Sequence, residues 1–86
     1  MTAVKIRVDE QYEAILRQHM KVEPDFVFQD DTVLGDVGLD SLTAVDVMLS
    51  LEDTFEITFP DSMLTYDVFR HFASLRDAVQ SLVDET

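Results

Sequence analysis

The run Gly38-Leu39-Asp40-Ser41-Leu42-Thr43-Ala44-Val45-Asp46-Val47-Met48-Leu49-Ser50-Leu51-Glu52-Asp53-Thr54-Phe55 decides how the rest of the chain is read. Gly38 permits a tight turn, Asp40 and Ser41 are residue types that open helices, and no Pro or Gly interrupts the residues from there to Phe55. The spacing predicts a helix over 41–55. At about 100° per residue, Val47, Leu51, Ala44, Phe55 and Met48 gather in one arc of the width that faces a core. The opposite side interleaves Leu42, Val45 and Leu49 with Asp46, Glu52, Asp53 and Glu56. A solvated face has no need of those apolar residues. A docking face uses apolar anchors ringed by charge, although a helix in a small bundle can also bury a second stripe. Ser41 stands at one end of this face, where free N–H groups and the positive end of the helix dipole suit a phosphate on its hydroxyl. Asp40 could orient a metal-bound phosphate donor during attachment. Asp40 or Ser41 is also suited to serve only as the N-cap, and on Asp40-Ser41-Leu42 alone that plainer reading is the favoured one.

Outward from this helix, Tyr12, Ile15, Leu16 and Met20 recur at helical spacing, so a first helix is expected over about 9–20, capped by Asp9 and ended by Pro24. Val22 to Asp40 has no sustained period and reads as a long ordered loop pinned by Phe26, Phe28, Val33, Leu34 and Leu39. Pro60 and Asp61-Ser62 open a short helix over about 62–69, and Ser74 with Asp77 forms a capping box for a last helix over about 74–84. The expected fold is all-α: a four-helix bundle with a long first loop and a short third helix. At 86 residues, 1–86 is expected to be a single domain, since two cores of half that size would each bury too little surface.

Charge narrows the function classes. All twelve residues of the net −12 lie between Val22 and Phe69, which contains no Lys or Arg, while the flanking segments balance. Such a field disfavours nucleic acid and anionic membranes and steers basic protein surfaces toward this segment. No apolar run reaches the length of a membrane span, the opening MTAVKIRVDE lacks the apolar centre of a signal peptide, and Cys is absent. A soluble, cytoplasmic monomer is expected. The absence of Cys also excludes thiolate catalysis. Asp30 to Ser41 has the length and the sixth-position Gly35 of a calcium loop, but Thr32, Leu34 and Ser41 stand where ligands belong, so no metal site is expected. His19 and His71 are far from Ser41 in sequence, and no oxyanion donor accompanies them, which argues against a hydrolytic site.

Gly38-Leu39-Asp40-Ser41-Leu42, together with Leu51-Glu52-Asp53-Thr54-Phe55 and Ile57-Thr58-Phe59-Pro60-Asp61, resembles the acyl carrier protein family over nearly the whole chain. The resemblance implies a non-catalytic carrier with 4′-phosphopantetheine, transferred from coenzyme A, on Ser41. Acyl intermediates would ride as thioesters on the arm's thiol. Asp40 and Leu42 would flank the attachment site. Asp40, Asp46 and Glu52 match acidic positions that contact basic patches on partner enzymes in that family, and in agreement with the wheel the expected partner contacts are Asp36, Leu42, Val45, Asp46, Leu49, Glu52, Asp53 and Glu56. The implied partners are a phosphopantetheinyl transferase, a loading acyltransferase or ligase, and ketosynthase-like enzymes with basic docking patches. Thr43 and Leu49 depart from residues common in fatty-acid carriers and suggest polyketide or other specialised biosynthesis. A free-standing aminoacyl or peptidyl carrier is the alternative, although Leu39 after Gly38 favours the acyl type. An acidic interaction module without an arm is a more distant one.

Overall fold

A computed structural model describes residues 8–85. The opening stretch with Lys5 and Arg7, on which the signal-peptide expectation falls, lies outside the described residues. The element order is α1 (Asp9–Met20), a 3-10 turn (Leu34–Val37), α2 (Ser41–Phe55), a second 3-10 turn (Asp61–Met63), α3 (Tyr66–Arg70) and α4 (Phe72–Glu85). The fold is the expected all-α, four-helix arrangement. Its core is assembled from the apolar faces of α1 (Tyr12, Leu16), α2 (Val47, Leu51) and α4 (Leu75, Val79), with Leu34, Ile57 and Phe59 contributed by the loops.

Four local expectations are corrected. Asp9 is the first residue of α1, not its cap. Val8 holds the cap position without a side-chain bond, and Asp9 and Glu10 complement the dipole from inside the first turn. The helix stops at Lys21, whose left-handed φ of 53° turns the chain before Pro24 is reached. The single helix expected over 62–69 is two pieces: the chain breaks at Leu64, and the Thr65 hydroxyl then accepts from Val68 N–H and starts α3 afresh. Finally, α4 begins at Phe72, two residues before the expected start. Its first N–H groups are satisfied by the long loop, from Phe72 to the Thr32 carbonyl (2.9 Å) and from Ala73 to the Asp30 carbonyl (3.0 Å). The Ser74 hydroxyl reaches backward, accepting from His71 N–H at 3.1 Å, the role a third-position side chain plays in a capping box.

The long loop is built into the structure rather than draped over it. Phe28 stacks on Phe72 (centroids 4.8 Å, 17°), Phe72 meets Tyr12 (4.9 Å), and Phe26 meets Phe28 edge-on (4.9 Å). The Tyr12 hydroxyl, fully buried, donates to the Phe72 carbonyl at 2.7 Å. Burial keeps that phenol neutral far above the usual tyrosine range. Arg76 ties α4 to the loop through Asp30 at 2.9 Å. Val33 makes a β-bridge to His71. The loop then enters α2 through Gly38, whose φ of +113° strongly favours glycine and where an added Cβ would lie a tight 3.2 Å from the Met20 carbonyl oxygen. Ser41 is thereby placed between the end of the loop and α3.

Candidate functional site at the start of the second helix

Asp40 is the N-cap of α2. Its Oδ1 accepts from Thr43 N–H at 2.8 Å. That bond, given to the charged form, holds the Asp40 carboxyl below the usual aspartate range. Ser41 is the first helical residue and is exposed, and its hydroxyl has no hydrogen-bond partner among the described residues. The two cap candidates of the sequence are thus separated. Asp40 does the capping, and Ser41 presents a free hydroxyl beside the open N–H groups of the first turn.

An open cleft of about 320 Å³ lies against this hydroxyl, with Leu39, Asp40 and Ser41 on one side and Tyr66, Phe69 and Arg70 on the other. A second, almost wholly apolar cleft of about 300 Å³ adjoins it, lined by Val45, Met48, Leu64 and Thr65 and sharing Ala44 and Phe69 with the first. A phosphorylated, partly apolar arm fits here: the hydroxyl is accessible, the helix start and Arg70 offer positive potential, and an apolar channel leads away. No histidine lines the cleft. His19 instead bonds the Ser50 hydroxyl at 2.8 Å, and His71 sits in the bridge to Val33.

The wheel's two faces are separated by burial. Val47 and Leu51 are buried, and Ala44, Met48 and Phe55 are half-buried. Leu42 (80% exposed), Val45 (49%) and Leu49 (53%) stand in solvent, so they do not form a second core stripe. Asp36, Asp46, Asp53 and Glu56 are exposed around them. Glu52 differs: it is half-buried, and its Oε2 accepts from Phe59 N–H at 2.8 Å, fixing the turn after α2. Glu56 also shapes that turn, with a left-handed φ of 54° and its N–H on the Glu52 carbonyl. Sequence reasoning missed Tyr66 and Arg70. Arg70 is the first cation after the acidic segment, but nothing local shows that α3 folds it back toward Ser41.

Among the described residues no helix is long and apolar enough to cross a membrane, and no group of three or more His, Asp or Glu is arranged to hold a metal ion. The family described as "Phosphopantetheine attachment site" matches residues 13–80. An acyl carrier protein of Zymomonas mobilis is 33% identical over 76 residues, covering 88% of this chain and 90% of the relative. One of Caulobacter vibrioides is 29% identical over 77 residues, covering 90% and 92%. One of Campylobacter fetus is 37% identical over 54 residues, covering 63% and 69%. With this fold, an accessible helix-start serine and these similarities, the chain belongs to the phosphopantetheine-attachment family, as a non-catalytic acyl carrier protein whose prosthetic group is 4′-phosphopantetheine.

Proposed function

We propose that the chain carries acyl intermediates of a specialised biosynthesis, such as polyketide formation, on an arm attached to Ser41 Oγ. The observation that carries this reading is the division between Asp40 and Ser41: the cap bond goes to Asp40, and the serine hydroxyl stays exposed and unengaged. Once attached, the arm supplies the thiol that a chain without Cys lacks, and the cargo rides on it as a thioester.

The chain's own residues present the arm and the partner surface together. Ser41 fixes the arm's origin, Asp40 holds the helix start rigid, and Leu42, Val45 and Leu49 form an exposed apolar ridge flanked by Asp36, Asp46, Asp53 and Glu56. That pattern suits enzymes whose basic patches surround an apolar contact: a phosphopantetheinyl transferase that installs the arm, an acyltransferase or ligase that loads it, and ketosynthase-like enzymes that consume the cargo. Thr43 and Leu49 support a specialised partner set over housekeeping fatty-acid synthesis. The whole is expected to act in the cytoplasm as a monomer.

Co-expression with a broad-specificity phosphopantetheinyl transferase, followed by intact mass, tests the attachment. The wild-type chain is expected to gain the mass of the arm and Ser41→Ala to gain nothing. A gain that survives Ser41→Ala would sink the reading. The mass of the natively loaded protein tests the pathway: an aminoacyl cargo would favour a free-standing aminoacyl carrier instead.

A further inference from the structure

Resting on attachment at Ser41, we propose that Arg70 is the phosphate-holding residue of this carrier: its guanidinium pairs with the phosphodiester on Ser41 Oγ and so sets the direction in which the arm leaves the protein.

Three observations converge on Arg70. First, Ser41 lies inside a segment, Val22 to Phe69, with twelve acids and no Lys or Arg. A phosphodiester added there gains a negative charge beside the ionised Asp40, which lines the same cleft. Like charges at close range repel, and a cation in the cleft offsets that repulsion. Arg70 is the one Lys or Arg in its lining.

Second, the three described arginines are used differently. Arg17 is held by Glu13 at 2.9 Å and also bonds the Phe26 carbonyl. Arg76 is held by Asp30 at 2.9 Å and Asp77 at 3.4 Å. Arg70 has no ion pair or hydrogen bond among the described residues, in a chain where Asp and Glu outnumber Lys and Arg threefold. An arginine left without a carboxylate amid such an excess has its donor edges available. Its place in the last turn of α3 suits a cation, but a five-residue helix end does not account for its facing the Ser41 cleft.

Third, the guanidinium has an aromatic neighbour in the same cleft. It lies over the Tyr66 ring, one turn earlier on α3, with its carbon 5.8 Å from the ring centroid. Stacking on an aromatic face uses the flat side of the guanidinium and leaves the N–H groups of its rim free. Those planar donors match two oxygens of a phosphate, which a lysine's point charge does not. Tyr66 lines the same cleft. Both side chains thus line the cleft that Ser41 also lines.

The test uses the modified full-length protein, with intact mass confirming one arm in each sample and none on Ser41→Ala. Phosphorus NMR of the phosphodiester is compared in wild type, Arg70→Gln, Arg70→Lys and, as a charge-matched control, Lys21→Gln. Arg70→Gln is expected to displace the resonance and narrow the line as the phosphate becomes freer, Arg70→Lys to fall between, and Lys21→Gln to match wild type. In wild type the Arg70 Nε–H signal is expected to shift when the unmodified protein acquires its arm. At about 1 M salt, where charges are screened within about 3 Å, the wild-type and Arg70→Gln spectra should converge. Identical phosphorus signals in wild type and Arg70→Gln, each bearing one arm lost on Ser41→Ala, would overturn the role of Arg70 and leave the attachment reading standing. An arm that persists on Ser41→Ala would remove both.

Discussion

The α1–α4 side and the α2–α3 side of this molecule are built by opposite rules. On the first, the long loop is locked down by Phe28 stacked on Phe72, by the buried Tyr12 hydroxyl on the Phe72 carbonyl, by loop carbonyls capping α4, and by Arg76 on Asp30. On the second, apolar residues stand in solvent, two clefts stay open, and the chain between α2 and α4 is broken into a 3-10 turn and a five-residue helix. One side concentrates the contacts that resist unfolding, and the other leaves exposed the surface proposed above for an arm and its partners. On the proposed function, folding and carrying fall to different residues, and substitutions can tell the two apart.

The largest effect is expected where the locked side is broken. Phe72→Ala removes the ring that joins Tyr12 and Phe28 and should cost about 3–5 kcal/mol, the usual range for a buried Phe. Chemical denaturation would measure it, and a loss under about 1 kcal/mol would show that the cluster is not the stabilising centre, since ordinary surface changes already reach about 0.5 kcal/mol. On the open side, Leu49→Ser should leave stability within about 0.5 kcal/mol while slowing loading or transfer by partner enzymes. An unfolding midpoint that drops as far as in Phe72→Ala would erase the contrast.

The smallest effect concerns the junction of the two sides. The folded-state pKa of Asp40 is depressed by the Thr43 N–H bond, so its capping contribution is present above the unfolded aspartate pKa and is lost as pH falls through the folded one. The Thr43 amide resonance should therefore titrate below the usual aspartate range. In Asp40→Asn, which still caps but carries no charge, it should not titrate. A Thr43 amide that titrates unchanged in that variant would place the responsible carboxylate elsewhere.

How legible each feature is in the sequence depends on how local its cause is. The two faces of α2 can be read because a period of 3.6 residues sorts Val47 and Leu51 from Leu42 and Leu49 without any knowledge of neighbours. The start of α4 cannot, since its cap is supplied by carbonyls of Asp30 and Thr32, some forty residues earlier in the chain. Ser74 carries a true capping signal at a different position from the one its spacing to Asp77 suggests: it serves as the third helical residue and not as the cap. The break at Leu64 is hidden because Met63, Leu64, Val68 and Phe69 read as one apolar helical run across it, which masks the capping preference of Thr65. At the site, the exposed serine and its acidic ridge are legible. The facing wall of the cleft is not, because Tyr66 and Arg70 arrive by a fold-back that no spacing rule encodes.

The assignment of the cap bond to Asp40 has a consequence for the life of the protein in a cell. Because no hydrogen bond among the described residues runs through the Ser41 hydroxyl, an arm joined there, as proposed, would break none of them. Turnover by proteases tracks the population of opened chains, and a chain still waiting for its arm keeps every hydrogen bond described for its fold.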